Sequence, residues 1–296
     1  MGQKSPMKDS NAIQDKALLE NNNAYIGDKG INNKLYSTEY IRKSIFVFLG
    51  ITAFLSVICN FLMIWGGKNY QNLIIALMWC PAIAAFIVRK MYYSRQKVLG
   101  WNVCKIKYIV IGFLIPPIYL FLSYGLYWTI TNTYSGNWPK IGMVSIILSV
   151  ISTLILVAGE EIGWRGFLVP QMKEVWGLKK AIIYSGIIWT VSHLPLMIAG
   201  QYNEGTPFWY QIPVFTVEIL AINAIMAILR IKSGSVWPAI IVHGIHNFLD
   251  QTVMSGLTLT DSSKSLYFVG ETGFITALGI VAIAVVMVYK NREAFK

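Results

Sequence analysis

The sequence predicts an all-α, polytopic membrane protein with about eight transmembrane helices, and three observations predict it. Charged residues make up 13% of the 296, against the roughly one quarter of an ordinary globular chain. Apolar stretches of about 20 residues, the length that crosses a bilayer as a helix, recur along most of the chain, and the mean hydropathy is +0.53. The lysines and arginines fall on alternate connections, the asymmetry that orients membrane proteins. Together these exclude an ordinary soluble domain and a disordered chain.

The elements follow in order. Residues 1–40 are polar, rich in Asn and Lys and without sustained periodicity, so they read as a mobile cytoplasmic tail. No short apolar run with a small-residue cleavage site opens the chain, so a cleaved signal peptide is not expected, and Pro6 stands where a myristoylation signal needs Ser or Thr. Eight apolar segments then cover about 43–65, 71–89, 108–130, 141–164, 181–199, 211–229, 235–254 and 272–290. Their connections carry Gly, Pro, Asn and Trp. Trp65, Trp101, Trp128, Trp138 and Trp209 fall near the expected membrane–water boundaries, where amphipathic rings settle. Neither an internal repeat nor a second domain is apparent, so the expected organisation is the 1–40 tail followed by one membrane domain, 41–296.

Assigning connections alternately to two sides puts 22 of the 25 Lys and Arg with the N-terminal tail and leaves only Lys68, Lys140 and Lys264 opposite. This places both termini in the cytoplasm of a multi-pass protein of the cell membrane, in contact with membrane lipids. It also accounts for the net charge of +11 as a topology signal, which removes nucleic acid as a partner. Cys59, Cys80 and Cys104 have neither paired nor metal-like spacing and read as small hydrophobes.

Ionisable groups inside apolar segments cost about 2.5–3.5 kcal/mol at the bilayer centre even on lenient scales, so each needs a reason. The fourth segment ends Gly159-Glu160-Glu161-Ile-Gly-Trp-Arg165-Gly166. The fifth contains Trp189-Thr-Val-Ser-His193, the sixth Glu218 and Asn223, and the seventh His243-Gly-Ile-His246-Asn247-Phe-Leu-Asp250. All three histidines of the chain are in this set. On a helix, Glu161 and Arg165 share a face as an i, i+4 pair, while Glu160 projects about 100° away and is free to face a cavity. His243 and Asn247 also share a face. One carboxylate, an imidazole from a second helix and an imidazole–amide pair from a third suit water-mediated amide hydrolysis, which needs a base for the water and donors for the oxyanion. Glu161–Arg165 reads as a structural pair, and Gly159, Gly163 and Gly166 as packing devices that let another helix come close. His246 is read either as a site residue or as a core residue donating to Asp250, and Glu218 either as a substrate-cavity residue or, preferably, as partner of a polar neighbour.

At these residues the chain resembles the CPBP family of intramembrane proteases, which groups CAAX prenyl endopeptidases with bacteriocin-processing and self-immunity (Abi) proteins. The family pattern is E-E-x-x-x-R, then F-x-x-x-H, then H-x-x-x-N. Here Glu160-Glu161-Ile-Gly-Trp-Arg165 and His243-Gly-Ile-His-Asn247 are complete, and Trp189-Thr-Val-Ser-His193 has Trp in place of Phe. The resemblance covers about 141–255, the motif core of a CPBP-type protease domain. It implies a CAAX-endopeptidase-like bundle in which Glu160 and His193 activate water. His243 and Asn247 would stabilise the tetrahedral intermediate, while Glu161, Arg165 and Trp189 hold the site in shape. It implies a metal-free glutamate site with no cofactor, yet Glu160, His193 and His243 also offer an O/N/N set for Zn2+, the alternative for a family often labelled metalloproteases.

The leading expectation is an endopeptidase cutting membrane-associated peptides near the cytoplasmic face. The lysine-rich composition suggests a Gram-positive bacterium, and bacteria generally lack prenylated CAAX proteins. The expected substrate is therefore a peptide pheromone or bacteriocin precursor. The alternative is a non-catalytic bacteriocin self-immunity, scaffold or regulatory protein of the same fold. A proton-coupled transporter would also bury Glu and His but predicts repeats and paired broken helices, which are not seen.

Overall fold

The computed structural model describes residues 37–295 except 95, 137, 139–141, 203–204 and 260–263. Apart from its last four residues, the expected tail lies outside the described residues, and the compact unit is Tyr36–Lys296. Among the described residues there is no strand; one antiparallel bridge pairs Tyr134 with Thr258. The fold is thus the all-α membrane bundle the sequence predicts, and each of the eight apolar segments coincides with a helix.

Helix α1 (Thr38–Gly66) starts where Ser37 Oγ accepts the Tyr40 amide, and a 3₁₀ turn over Gly67–Leu73 leads into α2 (Ile74–Tyr92). Helix α3 (Ile106–Thr131) ends on Asn132 in the left-handed conformation. Helix α4 (Met143–Glu161) does not stop at the glutamates. It runs through a π-helical turn, Ile162–Leu168, into α5 (Val169–Ile198). The expected loop after residue 164 is therefore helical, and its residues as far as Met172 are buried. The chain turns only at Gly177, whose φ of 80° is open to glycine and strained for other residues. Helices α6 (Phe208–Ser233), α7 (Trp237–Phe248, prolonged as a π-helix over Leu249–Met254) and α8 (Phe274–Lys290) complete the bundle.

Five helical stretches are long and apolar enough to cross a membrane, and one of them, Met143–Ile198, holds the fourth and fifth expected segments together. Helix α8 is a shorter apolar helix. Large apolar side chains such as Phe54, Phe61, Leu122, Ile130 and Val285 stand on the outer faces, as a bundle solvated by lipid tails requires.

Contacts between connections define the two ends of the bundle. At one end Tyr40 Oη donates to Tyr92 O, Val236 N donates to Gly100 O, and Lys232 meets Asn291. At the other end Ser135 N donates to Leu257 O, Leu259 N to Thr133 O, and Tyr210 Oη to Tyr267 O. The connections rich in Lys and Arg share the first end and those poor in them share the second.

Candidate active site

The glutamate pair is split as an α-helix demands. Glu160 lines a cavity of about 330 Å³, and its Oε2 accepts Trp189 Nε1–H at 2.6 Å. Glu161 turns away into the protein, where Oε1 accepts from Arg165 Nη1 and from His243 Nδ1, each at 2.8 Å. Arg165 is 0% exposed. Its Nε donates to Asn223 Oδ1 at 3.1 Å, and its Cζ lies 3.9 Å from the centroid of the Trp189 ring, a cation–π contact. Asn223 is held in turn by donating to Ile182 O and Ser185 Oγ. Each group in this chain is fixed by the next, and α4, α5, α6 and α7 all contribute to it.

The glycines explain how α4 brings these groups inward. A Cβ on Gly163 would lie 2.3 Å from Pro81 Cβ, and one on Gly159 would lie 2.6 Å from Met78 O, so α4 rests directly on the backbone of α2. The π-helical turn that follows Glu161 locally re-aims the side chains beyond it, a device found often at functional sites.

His193 and His243 each present one nitrogen to the cavity. His193 Nδ1 is 2.8 Å from Trp189 O, and since a carbonyl only accepts, Nδ1 carries the proton and Nε2 keeps its lone pair. The His193 ring is walled by Tyr202 and Phe215 at centroid distances of 5.4 and 5.2 Å. His243 donates Nδ1–H to Glu161, which fixes its ring 5.3 Å from that of Trp189. Asn247, one turn further along α7, lines the same cavity. The structure therefore brings Glu160, His193, His243 and Asn247 together on one cavity, and sets Glu161, Arg165 and Trp189 against its wall.

Other expectations need correction. His246 does not donate to Asp250. Its Nδ1 lies 2.6 Å from Tyr119 Oη and its Nε2 3.8 Å from Glu218, whereas Asp250 accepts from Tyr124 Oη at 2.9 Å. The reason is that Tyr119 and Tyr124, buried on α3 against α7, engage His246 and Asp250 separately. His246 and Glu218 both line the cavity as well.

Three further lining residues were not singled out from the sequence. Glu271, between two glycines before α8, accepts from Tyr202 Oη at 2.7 Å and from Gln251 Nε2 at 2.6 Å. Burial first, and then the Glu271 charge, pushes the Tyr202 phenol well above its usual range, so it stays protonated and donating. The only sequence signal was a single acidic residue in a short glycine-bounded turn.

Among the described residues no three His, Cys, Asp or Glu side chains converge as a metal-binding set, and one oxygen of Glu160 is already engaged by Trp189.

Residues 141–249 match the family model described as type II CAAX prenyl endopeptidase Rce1-like. The chain is also 26% identical over 251 residues to CAAX prenyl protease 2 of Methanococcus maripaludis, covering 77% of this chain and 87% of that protein. With the three motifs in order on α4, α5 and α7, these matches support the resemblance of the chain to the CPBP family of intramembrane endopeptidases.

Proposed function

We propose that this protein is a glutamate-type intramembrane endopeptidase that hydrolyses a peptide bond in a membrane-associated peptide with an activated water. The observation that carries this reading is the convergence of Glu160, His193, His243 and Asn247, from three helices, on one cavity inside the bundle. Residues 41–296 form the protease domain, with 141–255 as its motif core, and the tail of 1–40 precedes it.

Glu160 keeps Oε1 for a water, and His193 Nε2 is a second acceptor. One takes the proton as the water oxygen attacks the scissile carbonyl, and the same groups return it to the leaving amine. His243, held through Nδ1 by Glu161, presents Nε2 to the developing oxyanion, and in its protonated form donates there beside the Asn247 amide. Glu161, Arg165 and Trp189 position these groups. No cofactor is assigned to the reaction. Apolar walls built by Ile74, Leu77, Leu156 and Ile219 suit a hydrophobic or amphipathic peptide, such as a pheromone or bacteriocin precursor.

Glu160→Gln is nearly isosteric but cannot accept the water's proton. Comparative peptidomics of strains carrying wild type or Glu160→Gln at matched membrane levels should show cleavage products lost, since general-base assistance is worth about 10²–10⁴-fold. Normal cleavage by the variant would remove Glu160 from the base role. A full phenotype without cleavage would establish the scaffold reading instead. Activity of the purified protein should also survive EDTA and phenanthroline; stoichiometric zinc lost together with activity would overturn the metal-free mechanism.

A further inference from the structure

The cavity is closed at one end of the bundle and open towards the other. Beneath the glutamates, at the end where the lysine- and arginine-rich connections gather, the floor is packed solid. Arg165, Gly166, Phe167 and Leu168 are buried there. The Leu99–Gly100 turn lies on this floor: a Cβ on Gly166 would sit 3.0 Å from Leu99 O, and one on Gly100 would sit 2.7 Å from the Arg230 guanidinium. Val236 N donates to Gly100 O at 2.8 Å, and Arg230 Nη2 reaches Gly166 O at 3.5 Å, so α6, α7 and the 93–105 connection seal it.

In the opposite direction the lining changes character. Gln251 is exposed, and Tyr202 and Glu271 are partly so; these three come from the connections after α5 and before α8 and from the far end of α7. Ile74, the first residue of α2, completes that rim. All four lie at the end whose connections carry only Lys68, Lys140 and Lys264. The cation asymmetry assigns that end to the non-cytoplasmic side.

We infer that substrate reaches Glu160 from the extracytoplasmic side, through the rim formed by Tyr202, Gln251, Glu271 and Ile74. The substrate class is then a peptide segment already exported or displayed at the outer leaflet, not a cytosolic one. This differs from the sequence expectation of cleavage near the cytoplasmic face. Glu160 stands at the cytoplasmic end of its span, but access depends on which side of Glu160 is hollow. The inference rests on the reading of this cavity as a protease site.

The test places single cysteines in a background with Cys59, Cys80 and Cys104 replaced by serine. Gln251→Cys reports the rim, Leu259→Cys the same end away from the cavity, and Val103→Cys, at a residue 95% exposed, the opposite end. In intact cells a membrane-impermeant biotin-maleimide should label Gln251→Cys and Leu259→Cys, and should label Val103→Cys only after permeabilisation. The bulky adduct at Gln251→Cys should also abolish the Glu160-dependent peptides, while the adduct at Leu259→Cys should leave them. Labelling of Val103→Cys alone in intact cells would overturn the inference by turning the opening to the cytoplasm. So would a Gln251→Cys that stays unlabelled while Leu259→Cys reacts, or a labelled Gln251→Cys whose peptide output is unchanged. None of these outcomes touches the protease reading, which stands or falls on Glu160→Gln.

Discussion

Trp189 carries two contacts that a phenylalanine could not carry together. Its ring lies under the Arg165 guanidinium, which any aromatic ring allows, but its indole N–H also donates to Glu160 at 2.6 Å. A charge-assisted bond of this kind orients the carboxylate and leaves Oε1 for water. Trp189→Phe restores the family's residue, keeps most of the stacking and removes only the donor. Cleavage by Trp189→Phe should fall by about tenfold, the equivalent of roughly 1.4 kcal/mol, with the thermal midpoint in detergent unchanged. An unchanged kcat/KM would show that Glu160 needs no such anchor. The motif residues were legible because each pair is local, four positions apart. The partners that fix them were not, since Asn223 is 58 residues from Arg165 and Glu271 is 69 from Tyr202.

Helix against helix, the geometry depends on two kinds of glycine that look alike in sequence. Gly163 and Gly50 both sit within apolar helical stretches, yet a Cβ at Gly163 meets Pro81 at 2.3 Å while one at Gly50 meets nothing within 4 Å. Gly163→Ala should therefore push α4 off α2, costing about 1–3 kcal/mol and lowering both thermal stability and activity. Gly50→Ala should be neutral or gain up to about 1 kcal/mol from helix propensity. Equal melting temperatures for the two variants in the same detergent would contradict the close α2–α4 packing. The positions of the eight helices were readable from hydropathy. The unbroken run from α4 through the π-helical turn to Gly177 was not, because Lys173, Lys179 and Lys180 look like loop cations although the backbone between them is mostly helical.

Over the whole molecule, the charge asymmetry and the contact pattern agree. The connections that the sequence places together by their cations meet at one end of the bundle, as Tyr40 with Tyr92 and Lys232 with Asn291 show. With the start of α1 and the end of α8 at the cation-rich end, cysteines placed within residues 1–40 or after Lys290 should resist impermeant reagents in intact cells and react after permeabilisation. Reaction of either terminus from outside would invert the orientation and with it the sidedness of the cavity. The interior shape was beyond the reach of sequence, since hydropathy reports how deep a residue lies and not where a bundle is hollow.

The sharing of Glu161 Oε1 between Arg165 and His243 has a consequence for biosynthesis. Arg165 is synthesised four residues after Glu161, so α4 carries its own countercharge as it leaves the ribosome. His243 comes 82 residues after Glu161. At about 5–20 residues per second that is an interval of roughly 4–16 s. Until α7 docks, the nascent chain holds Glu160 and Arg165 but lacks both His243 and Asn247. On the mechanism proposed above, the unfinished protein cannot cleave neighbouring chains being inserted at the same site, because the groups that would hold the oxyanion are not yet made.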